Sequence, residues 1–534
     1  MGNINPDGAH EIDLLGENVG SHYNVNLLLG NRIGYPSPLI STPKSAVDSL
    51  GHGSFRADAG RQVLATRYDF RFEDNGEPTN RQFYLYENGK QIFFSANVKE
   101  NVKRGVCRHM PNRTVIEYET NCGLKITRTI FIMPQDDNMP EAVEAQRVEI
   151  ENTSNKKRSI KAVFTGNFGI SSIESLSNDL VYASVIHEGG VIRENGKVIA
   201  VAPSSHPGYM RWQKRFAEIF ESGEPMDEFC TTYNDFFGSG TIEHPEFGAH
   251  LASNLASKCV SFFAMAKSVV IEPGCKKTFD SFVGYTGDKT PDLSVFKEKL
   301  SNFTSKYRNA ENTAAAYKKV CGFAEEYSSY VKLSSEDALF DSYVNNNLPF
   351  QVLYQSFVSR SFAWAQKAYR EIGFREIQDI YASLYYMCAM GNSALAKELI
   401  SRWARNVYKM GYANHNFYET GKEPGMCSDD GLWLVQAVYR YVSLTGDYGF
   451  LDEEFDMADG GTRKLIDTMD AVVTYSGKIS VGEHGFPLMD KADWNDTMKL
   501  DNDWINGEKK QELYFAQLEK TGEKYGAKFE SDYS

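Results

Sequence analysis

The chain has 534 residues, of which 42% are hydrophobic and 13% aromatic, so two or more packed domains are expected and intrinsic disorder is excluded. The formal net charge of −14 argues against nucleic-acid binding, which needs clustered Lys and Arg to neutralise phosphates. A neutral sugar substrate is compatible with this charge, although the charge does not imply one.

The chain opens, at residues 1–6, without a basic start followed by an apolar run, so no signal peptide is expected. No window of about 20 apolar residues is available to span a membrane. Eight cysteines are scattered without Cys-x-x-Cys or His-rich spacing, which predicts reduced thiols and no metal site. We therefore expect a cytoplasmic protein with no membrane partner.

The first half of the chain predicts β-structure. Residues 114–120 and 124–132 alternate apolar and polar side chains around Asn121-Cys122-Gly123, a pattern typical of a β-hairpin. Residues 144–151 and 159–164 flank a polar turn in the same manner and predict a second hairpin.

Further short β runs occur at 261–270 and 277–283, and no long helical period is present before about residue 290. Repeated hairpins without intervening helices predict an antiparallel β-sandwich over residues 1–288.

From Asp292 the apolar residues follow a helical period. They are Val295, Leu300, Phe303, Ala314, Ala315, Val320 and Phe323. This pattern predicts a helical linker over residues 289–332.

The rest of the chain, residues 333–534, is predicted to be helical. Its apolar faces include Ile377, Ile380, Leu384 and Cys388; Leu395, Leu399, Trp403 and Val407; and Leu432, Val435, Val438 and Val442. A break with a candidate N-cap falls at 391–393, and the last face closes near Gly446. Helical pairs joined by Gly-, Asp- and Asn-rich loops predict an α/α toroid.

Polar residues concentrate in the loops between these helices, where functional residues tend to lie. Segment 367–379 places Arg370 and Glu376 around Gly373 at a helix start. Arg donates to sugar hydroxyls and carboxylates accept from them, so this cluster suits a sugar. Taken alone, a capped helix with surface ion pairs is the better interpretation.

Segment 490–496 contains Asp493, Trp494 and Asp496. A Trp ring offers a platform for a sugar, and partial burial beside it raises the pKa of an acid, as a general acid needs. A turn capped by its own Asx residues is equally compatible.

Two further segments carry weaker signals. Arg360 lies between two serines and suits a phosphate, but an Arg that complements a helix dipole is the better interpretation. Residues 414–418 precede Ser428-Asp429-Asp430, which is expected to be an ordinary N-cap.

Taken together, these segments resemble glycoside hydrolase family 94, the β-glucoside phosphorylases, and most closely its cellodextrin branch. The resemblance covers nearly the whole chain. The segments that carry it are 26–31, 53–56, 82–86, 369–379, 408–417, 428–430 and 492–496.

The resemblance implies an N-terminal β-sandwich, a helical linker and an (α/α)6 barrel, of which residues 333–534 would be the first part. It implies an inverting, reversible phosphorolysis of cello-oligosaccharides that yields α-glucose 1-phosphate. Inorganic phosphate would be a co-substrate, with no cofactor or metal, and the full-length protein would be a homodimer.

The resemblance also assigns roles to residues. Asp496 falls on the family's proton donor, and Trp494 and Asp493 fall on the subsite for the glucosyl unit. Arg370 and Glu376 fall where that sugar's hydroxyls are bound. The cellobiose and chitobiose members carry Asp at the position of Glu376, a departure that fits the cellodextrin branch.

Arg360 falls on a phosphate ligand of the family. One essential acid is enough for this chemistry, because phosphate is an anionic nucleophile and needs no general base. Family members continue well beyond the position of Ser534, so the chain is expected to be a fragment that need not be active alone. The alternatives are a phosphorylase of cellobiose or another β-glucobiose, and a non-catalytic glycan-binding fragment.

Overall fold

The computed structural model describes residues 3–16, 23–27, 44–53, 55–57, 62–65, 80–134, 136–168, 188–204, 214–259, 262–286, 293–350, 375–391, 393–414, 416–417, 422–423, 429–483 and 485–487. The described residues up to Phe350 belong to one compact unit, and those from Arg375 belong to a second.

The first unit is built on antiparallel sheets, with strands numbered in chain order. Among the described residues, the larger sheet has the order β1 (Asn3–Ile4), β2 (His10–Asp13), β9 (Val102–Met110), β10 (Arg113–Thr120), β11 (Leu124–Ile132), β12 (Ala142–Asn152), β20 (Lys276–Tyr285), β16 (Arg215–Glu221), β15 (Lys197–Ser204) and β14 (Glu188–Glu194), with β17 (Glu224–Pro225) paired to β16. The smaller sheet has the order β18 (Glu228–Cys230), β19 (Phe263–Ile271), β13 (Arg158–Gly166), β7 (Gln82–Glu87) and β8 (Lys90–Phe94). A third sheet joins β3 (Tyr23–Leu27), β4 (Lys44–Asp48), β5 (Phe55–Ala57) and β6 (Gln62–Ala65).

The hairpin predicted around Asn121-Cys122-Gly123 is confirmed. Strands β10 and β11 pair from Thr114↔Ile130 to Glu119↔Lys125, and Gly123 adopts φ +78° in the turn. A positive φ is what glycine tolerates without strain, so the turn residue explains the register.

The second predicted hairpin is wrong in its pairing, although both strands exist. β12 pairs with β11 and β20 in the larger sheet, whereas β13 pairs with β7 and β19 in the smaller one. The connection therefore crosses between sheets. Asn152 stabilises it, because its side-chain amide donates to the carbonyls of Lys156 (2.7 Å) and Ile271 (2.9 Å).

The main hydrophobic core lies between the two sheets, because alternate residues of each strand face inward. Its members include Phe83, Leu85, Phe93 and Phe164 from the smaller sheet and Ile116, Ile126, Ile130 and Val148 from the larger. Two short helices, α1 (Val98–Asn101) and α2 (Tyr233–Phe237), belong to the same unit.

A buried ion pair also lies in this unit. Arg81 donates from Nε to Glu144 Oε1 (2.5 Å) and from Nη2 to Glu144 Oε2 (2.8 Å), and both side chains are almost fully buried. A polar cavity beside them, lined in part by Gln146, has room for about one water molecule. It is therefore too small for a sugar ring.

The predicted linker consists of two helices, α3 (Ser294–Tyr307) and α4 (Ala310–Tyr327). They pack on the outer face of the larger sheet, where a second core joins Phe131, Phe216, Phe220 and Phe282 to Phe296, Leu300, Phe303 and Val320. Asn309 separates the helices and caps α4, accepting from the Glu311 amide at 2.9 Å. Ala314 and Ala315 face solvent, one position away from the buried stripe that contains Ala316.

A further helix, α5 (Ala338–Ser342), continues through a π-helical turn at Tyr343–Asn347 to residue 350. It is tied to the N-terminal strands, because Ser342 Oγ donates to the Asn5 carbonyl at 2.6 Å.

The second unit is mainly helical. Its described helices are α6 (Ile377–Ala389), α7 (Ser393–Ala404), α8 (Asp430–Thr445) and α9 (Leu465–Thr474). A 3-10 turn at Tyr448–Asp452 lies between α8 and α9, and a π turn at Tyr475–Ile479 follows α9. Its short strands are β21 (Arg375–Glu376), β22 (Asn416–Phe417), β23 (Lys422–Glu423), β24 (Glu454–Asp456) and β25 (Thr462–Lys464).

The apolar face predicted for α7 is confirmed, with Trp403 fully buried. In the face predicted for α6, Ile380 and Leu384 are buried, whereas Cys388 is only half-buried. The face predicted for α8 is wrong at Leu432, which is exposed, because the buried stripe runs through Leu434 and Ala437. Gly446 ends α8 at φ +72°, as predicted. None of the helices in the described part is long and apolar enough to cross a membrane.

An antiparallel β-sandwich followed by a helical part confirms the predicted fold class. The boundaries at 1–288, 289–332 and 333–534, and the (α/α)6 closure of the helical part, stay predictions.

Candidate functional site

Most of the predicted site lies outside the described residues. These positions are Arg360, Arg370, Asp493, Trp494 and Asp496. Of Glu376 the structure describes the backbone, so the roles of all six residues stay predictions.

The backbone of Glu376 is held by a small three-stranded sheet. Glu376 pairs with Asn416 in β22, and Asn416 pairs in turn with Glu423 in β23. Helix α6 begins at the next residue, Ile377. The structure thus brings together two of the polar segments that the sequence singled out, 367–379 and 414–418.

Helices α6 and α8 contact each other through aromatic and cationic side chains. The rings of Tyr381 and Trp433 are 5.1 Å apart between centroids, and one turn further along α6 the Tyr385 ring lies 3.9 Å from the Arg440 guanidinium carbon. Arg440 also lies 3.5 Å from the Tyr381 ring centroid, so Tyr381 contacts both Trp433 and Arg440 of α8.

Asp429 stands at the N-cap position of α8 but does not cap it with its side chain. Its Oδ2 accepts from the Trp433 indole N–H at 2.8 Å, and its buried Oδ1 has no partner within the part of the chain that the structure describes. The expectation of an ordinary N-cap is therefore wrong for this side chain. Asp430, only 4% exposed, adds negative charge in the first turn, where a helix dipole favours it.

Asn414 is buried on the segment that leads into β22. Its backbone N–H donates to the Asn406 carbonyl at 3.0 Å, and its side-chain Oδ1 accepts from the Tyr408 hydroxyl at 3.4 Å. Its Nδ2 is buried without a hydrogen-bond partner among the described residues. Buried amides of this kind supply donors that a sugar hydroxyl satisfies.

The sequence did not single out the aromatic and cationic residues that join α6 to α8. Arg440 Nη1 donates to the Tyr381 carbonyl at 2.8 Å, and Nη2 donates to the Tyr381 hydroxyl. The spacing of Asp429 and Trp433, four residues apart, was a local signal for their contact. Arg440 and Tyr381 are 59 residues apart and carried no such signal.

The site is built from hydrogen-bonding and aromatic groups. Within the described ranges, no three His, Cys, Asp or Glu side chains gather closely enough to hold a metal ion. Carboxylates, amides and aromatic rings of this kind can bind a polyhydroxylated ligand through hydrogen bonds and ring stacking.

Comparison with known protein families gives two matches that together span most of the chain. Residues 44–310 match the description "Glycosyl hydrolase 94, supersandwich domain". Residues 323–523 match "Glycosyl hydrolase 94 superfamily, catalytic domain".

Curated relatives are distant in sequence. The N,N'-diacetylchitobiose phosphorylase of Vibrio furnissii is 24% identical over 410 residues, covering 71% of this chain and 48% of that protein. The solabiose phosphorylase of Paenibacillus borealis is 23% identical over 432 residues, covering 78% and 50%. The cyclic beta-(1,2)-glucan synthase NdvB of Rhizobium meliloti is 24% identical over 416 residues, covering 71% and 14%. The chain thus spans about half the length of the two phosphorylases.

Proposed function

Because the chain belongs to glycoside hydrolase family 94, we propose that it forms part of an inverting phosphorylase of β-1,4-linked glucose oligomers. The reaction is reversible phosphorolysis of a cello-oligosaccharide at its non-reducing end. Its products are α-D-glucose 1-phosphate and a chain shortened by one glucose.

The observation that carries this proposal is the match of residues 323–523 to the family's catalytic domain, which encloses the Asp493-Trp494-Asn495-Asp496 segment. Two of the relatives are named as disaccharide phosphorylases, which supports the reaction class. The choice of cello-oligosaccharides rests on the resemblance to the cellodextrin branch, including Glu376.

In the proposed mechanism, an oxygen of inorganic phosphate attacks the anomeric carbon from the face opposite the leaving group. The bond from that carbon to the glycosidic oxygen breaks, and the Asp496 carboxyl delivers its proton to the departing oxygen. Configuration inverts because a single displacement occurs. Arg360 contributes to holding the phosphate in line, where charge-assisted bonds are strongest.

The glucosyl unit is bound by Arg370 and Glu376, with Trp494 as the ring platform and Asp493 at the same subsite. The pairing of Glu376 with Asn416 and the helix that starts at Ile377 support this role, since rigid elements hold binding groups more accurately than loops do.

The proton donor is tested by Asp496→Asn in the full-length protein that contains this chain, because this substitution keeps size and polarity but removes the transferable proton. Release of glucose 1-phosphate from cellotetraose and phosphate should fall at least about a hundredfold while the circular dichroism spectrum stays unchanged. Asp493→Asn is the matched control and should lose less. Retained activity in Asp496→Asn with lost activity in Asp493→Asn would reverse the assignment.

The sugar ligands are tested by Arg370→Ala and Glu376→Ala. Each removes a charged hydrogen bond and should raise the barrier by roughly 2–4 kcal/mol, seen in kcat/KM for the oligosaccharide. Near-normal turnover in both variants would indicate that segment 367–379 is only a capped helix with surface ion pairs and does not bind the sugar. Arg360→Gln should instead raise KM for phosphate.

The second candidate is the same reaction with a different disaccharide as substrate, because the phosphorylases among the relatives are named for chitobiose and solabiose. Initial rates on cellobiose, cellotetraose and N,N'-diacetylchitobiose distinguish the possibilities, and cellotetraose should be fastest. A glycan-binding protein without catalysis would bind cellotetraose but release no glucose 1-phosphate. We further propose a cytoplasmic homodimer, which cell fractionation and light scattering of the purified protein test.

A further inference from the structure

Tyr381 of α6 contacts two residues of the neighbouring helix α8, Trp433 and Arg440. The Trp433 ring lies against it, and the Arg440 guanidinium carbon is 3.5 Å from its ring centroid. Arg440 also donates to the Tyr381 carbonyl and hydroxyl. Together Tyr381, Trp433 and Arg440 form a set of contacts that we call the α6–α8 clamp.

In the α6–α8 clamp, Arg440 makes directional hydrogen bonds at a position where an apolar side chain would be enough for packing. The Arg440 guanidinium also lies against the Tyr385 ring, at 3.9 Å from its centroid. Tyr385 is 52% exposed, so little apolar area is buried at this contact. A planar guanidinium has donors in a fixed fork and stacks on rings, so it fixes both rotation and translation of what it binds. Arg440 therefore joins α6 to α8 through directional contacts.

The clamp lies close to Glu376. Tyr381 is five residues further along, and α6 begins at Ile377 directly after the strand that contains Glu376. An α-helix rises 1.5 Å per residue and is stiff over one turn, so holding Tyr381 also holds the helix start. The backbone of Glu376 is thus restrained by α6 on one side and by pairing with Asn416 on the other.

We propose that Arg440 is a positioning residue of the sugar-binding site, acting through Tyr381 on the start of α6 and thereby on Glu376. The inference rests on the proposed function for the role of Glu376. Its physical part, that Arg440 orders the first turn of α6, stands independently of the reaction.

The test compares Arg440→Gln with Arg402→Gln as a matched control. Arg402 is also a half-buried Arg, but it pairs with Glu398 within one helix, α7, at 2.8 Å. Hydrogen exchange is measured at the amides of residues 381–385, whose helical acceptors are the carbonyls of 377–381. Exchange there should be about tenfold faster in Arg440→Gln and unchanged in Arg402→Gln.

Kinetics separate positioning from a merely structural role. In Arg440→Gln, kcat/KM for cellotetraose should fall about tenfold, whereas KM for phosphate and the melting temperature should match those of Arg402→Gln. Arg440→Lys keeps the charge but loses the fork, so it should behave like Arg440→Gln. Tyr381→Phe removes one acceptor and should show a smaller effect in the same direction, even if Arg440→Gln fails to fold.

Each outcome decides the inference. Unchanged exchange at residues 381–385 in the Arg440 and Tyr381 variants would overturn it. Faster exchange with kcat/KM no lower than in Arg402→Gln would overturn the link to the sugar site. If the full-length wild-type protein releases no glucose 1-phosphate, the proposed function fails, while the exchange data still decide whether Arg440 orders α6.

Discussion

Glu218 places a carboxyl group in the buried layer between the larger sheet and helix α3. The side chain is 0% exposed and lies opposite Phe282 on the neighbouring strand. Its Oε1 accepts from the Thr304 hydroxyl at 2.5 Å, and its Oε2 is buried without a partner among the described residues. Burial raises the pKa of Glu218 to about 8, although the Thr304 hydroxyl lowers it in part.

This raised pKa predicts a specific dependence of stability on pH. Between pH 4.5 and about 8 the folded protein keeps a proton that the unfolded chain has released, so the free energy of unfolding falls as pH rises and then levels off. At about 1.36 kcal/mol per pH unit, the loss accumulated between pH 4.5 and pH 7 is about 3 kcal/mol. Glu218→Gln has no proton to release and should remove this loss.

The assay is thermal unfolding of wild type and Glu218→Gln at pH 5, 6, 7 and 8. The melting temperature of Glu218→Gln should exceed that of wild type by a difference that grows steadily with pH and reaches ~5 °C or more near neutrality. Glu221→Gln on the same strand is the control, because Glu221 pairs with Lys277 at 3.2 Å and its loss should bring no gain at high pH. A difference between Glu218→Gln and wild type that stays constant from pH 5 to 8 would refute the reasoning.

Two further predictions concern the folded units. Arg81→Met should destabilise the sandwich by about 3–5 kcal/mol in urea unfolding, because Glu144 is left buried and charged. Adding Glu144→Leu should recover most of this lost stability, and no recovery would contradict the account. Gly411→Ala should lower the melting temperature more than Gly446→Ala. Both glycines have positive φ, but only at Gly411 would a Cβ lie 2.0 Å from the Ala471 carbonyl oxygen, so equal losses would contradict this.

Features set by neighbouring residues in the chain were predictable. The hairpin at Asn121-Cys122-Gly123 follows from a glycine turn between two alternating strands. The end of α8 at Gly446 follows from the tolerance of glycine for a left-handed cap. Both signals lie within a few residues of the feature that they specify.

Pairing between distant strands was not predictable in the same way. The alternation in β12 and β13 indicates that each has a buried face, but it does not say which strand lies beside it. A polar turn such as 153–157 is compatible with a hairpin and with a crossing between sheets. The pairing depends on β19 and β20, about 100 residues or more further along the chain.

For the candidate site, the sequence predicts which residues bind the ligand, and the structure adds contacts around one of them that the sequence does not indicate. Glu376 was predicted from its segment and its resemblance, and the structure adds its backbone partner, Asn416. The contact of Arg440 with Tyr381 joins residues of two helices, and neither residue stands out by composition. Such contacts depend on how α6 and α8 pack, which local patterns do not encode.

The most direct test of the central claim is to incubate the full-length protein that contains this chain with cellotetraose and inorganic phosphate and to follow the products by ³¹P and ¹H NMR. In the initial phase of the reaction, before cellotriose is itself cleaved, the proposed function predicts α-D-glucose 1-phosphate and cellotriose in equal amounts, with no free glucose. Release of free glucose, a β-linked phosphate, or no product from any β-linked glucose oligomer would contradict it.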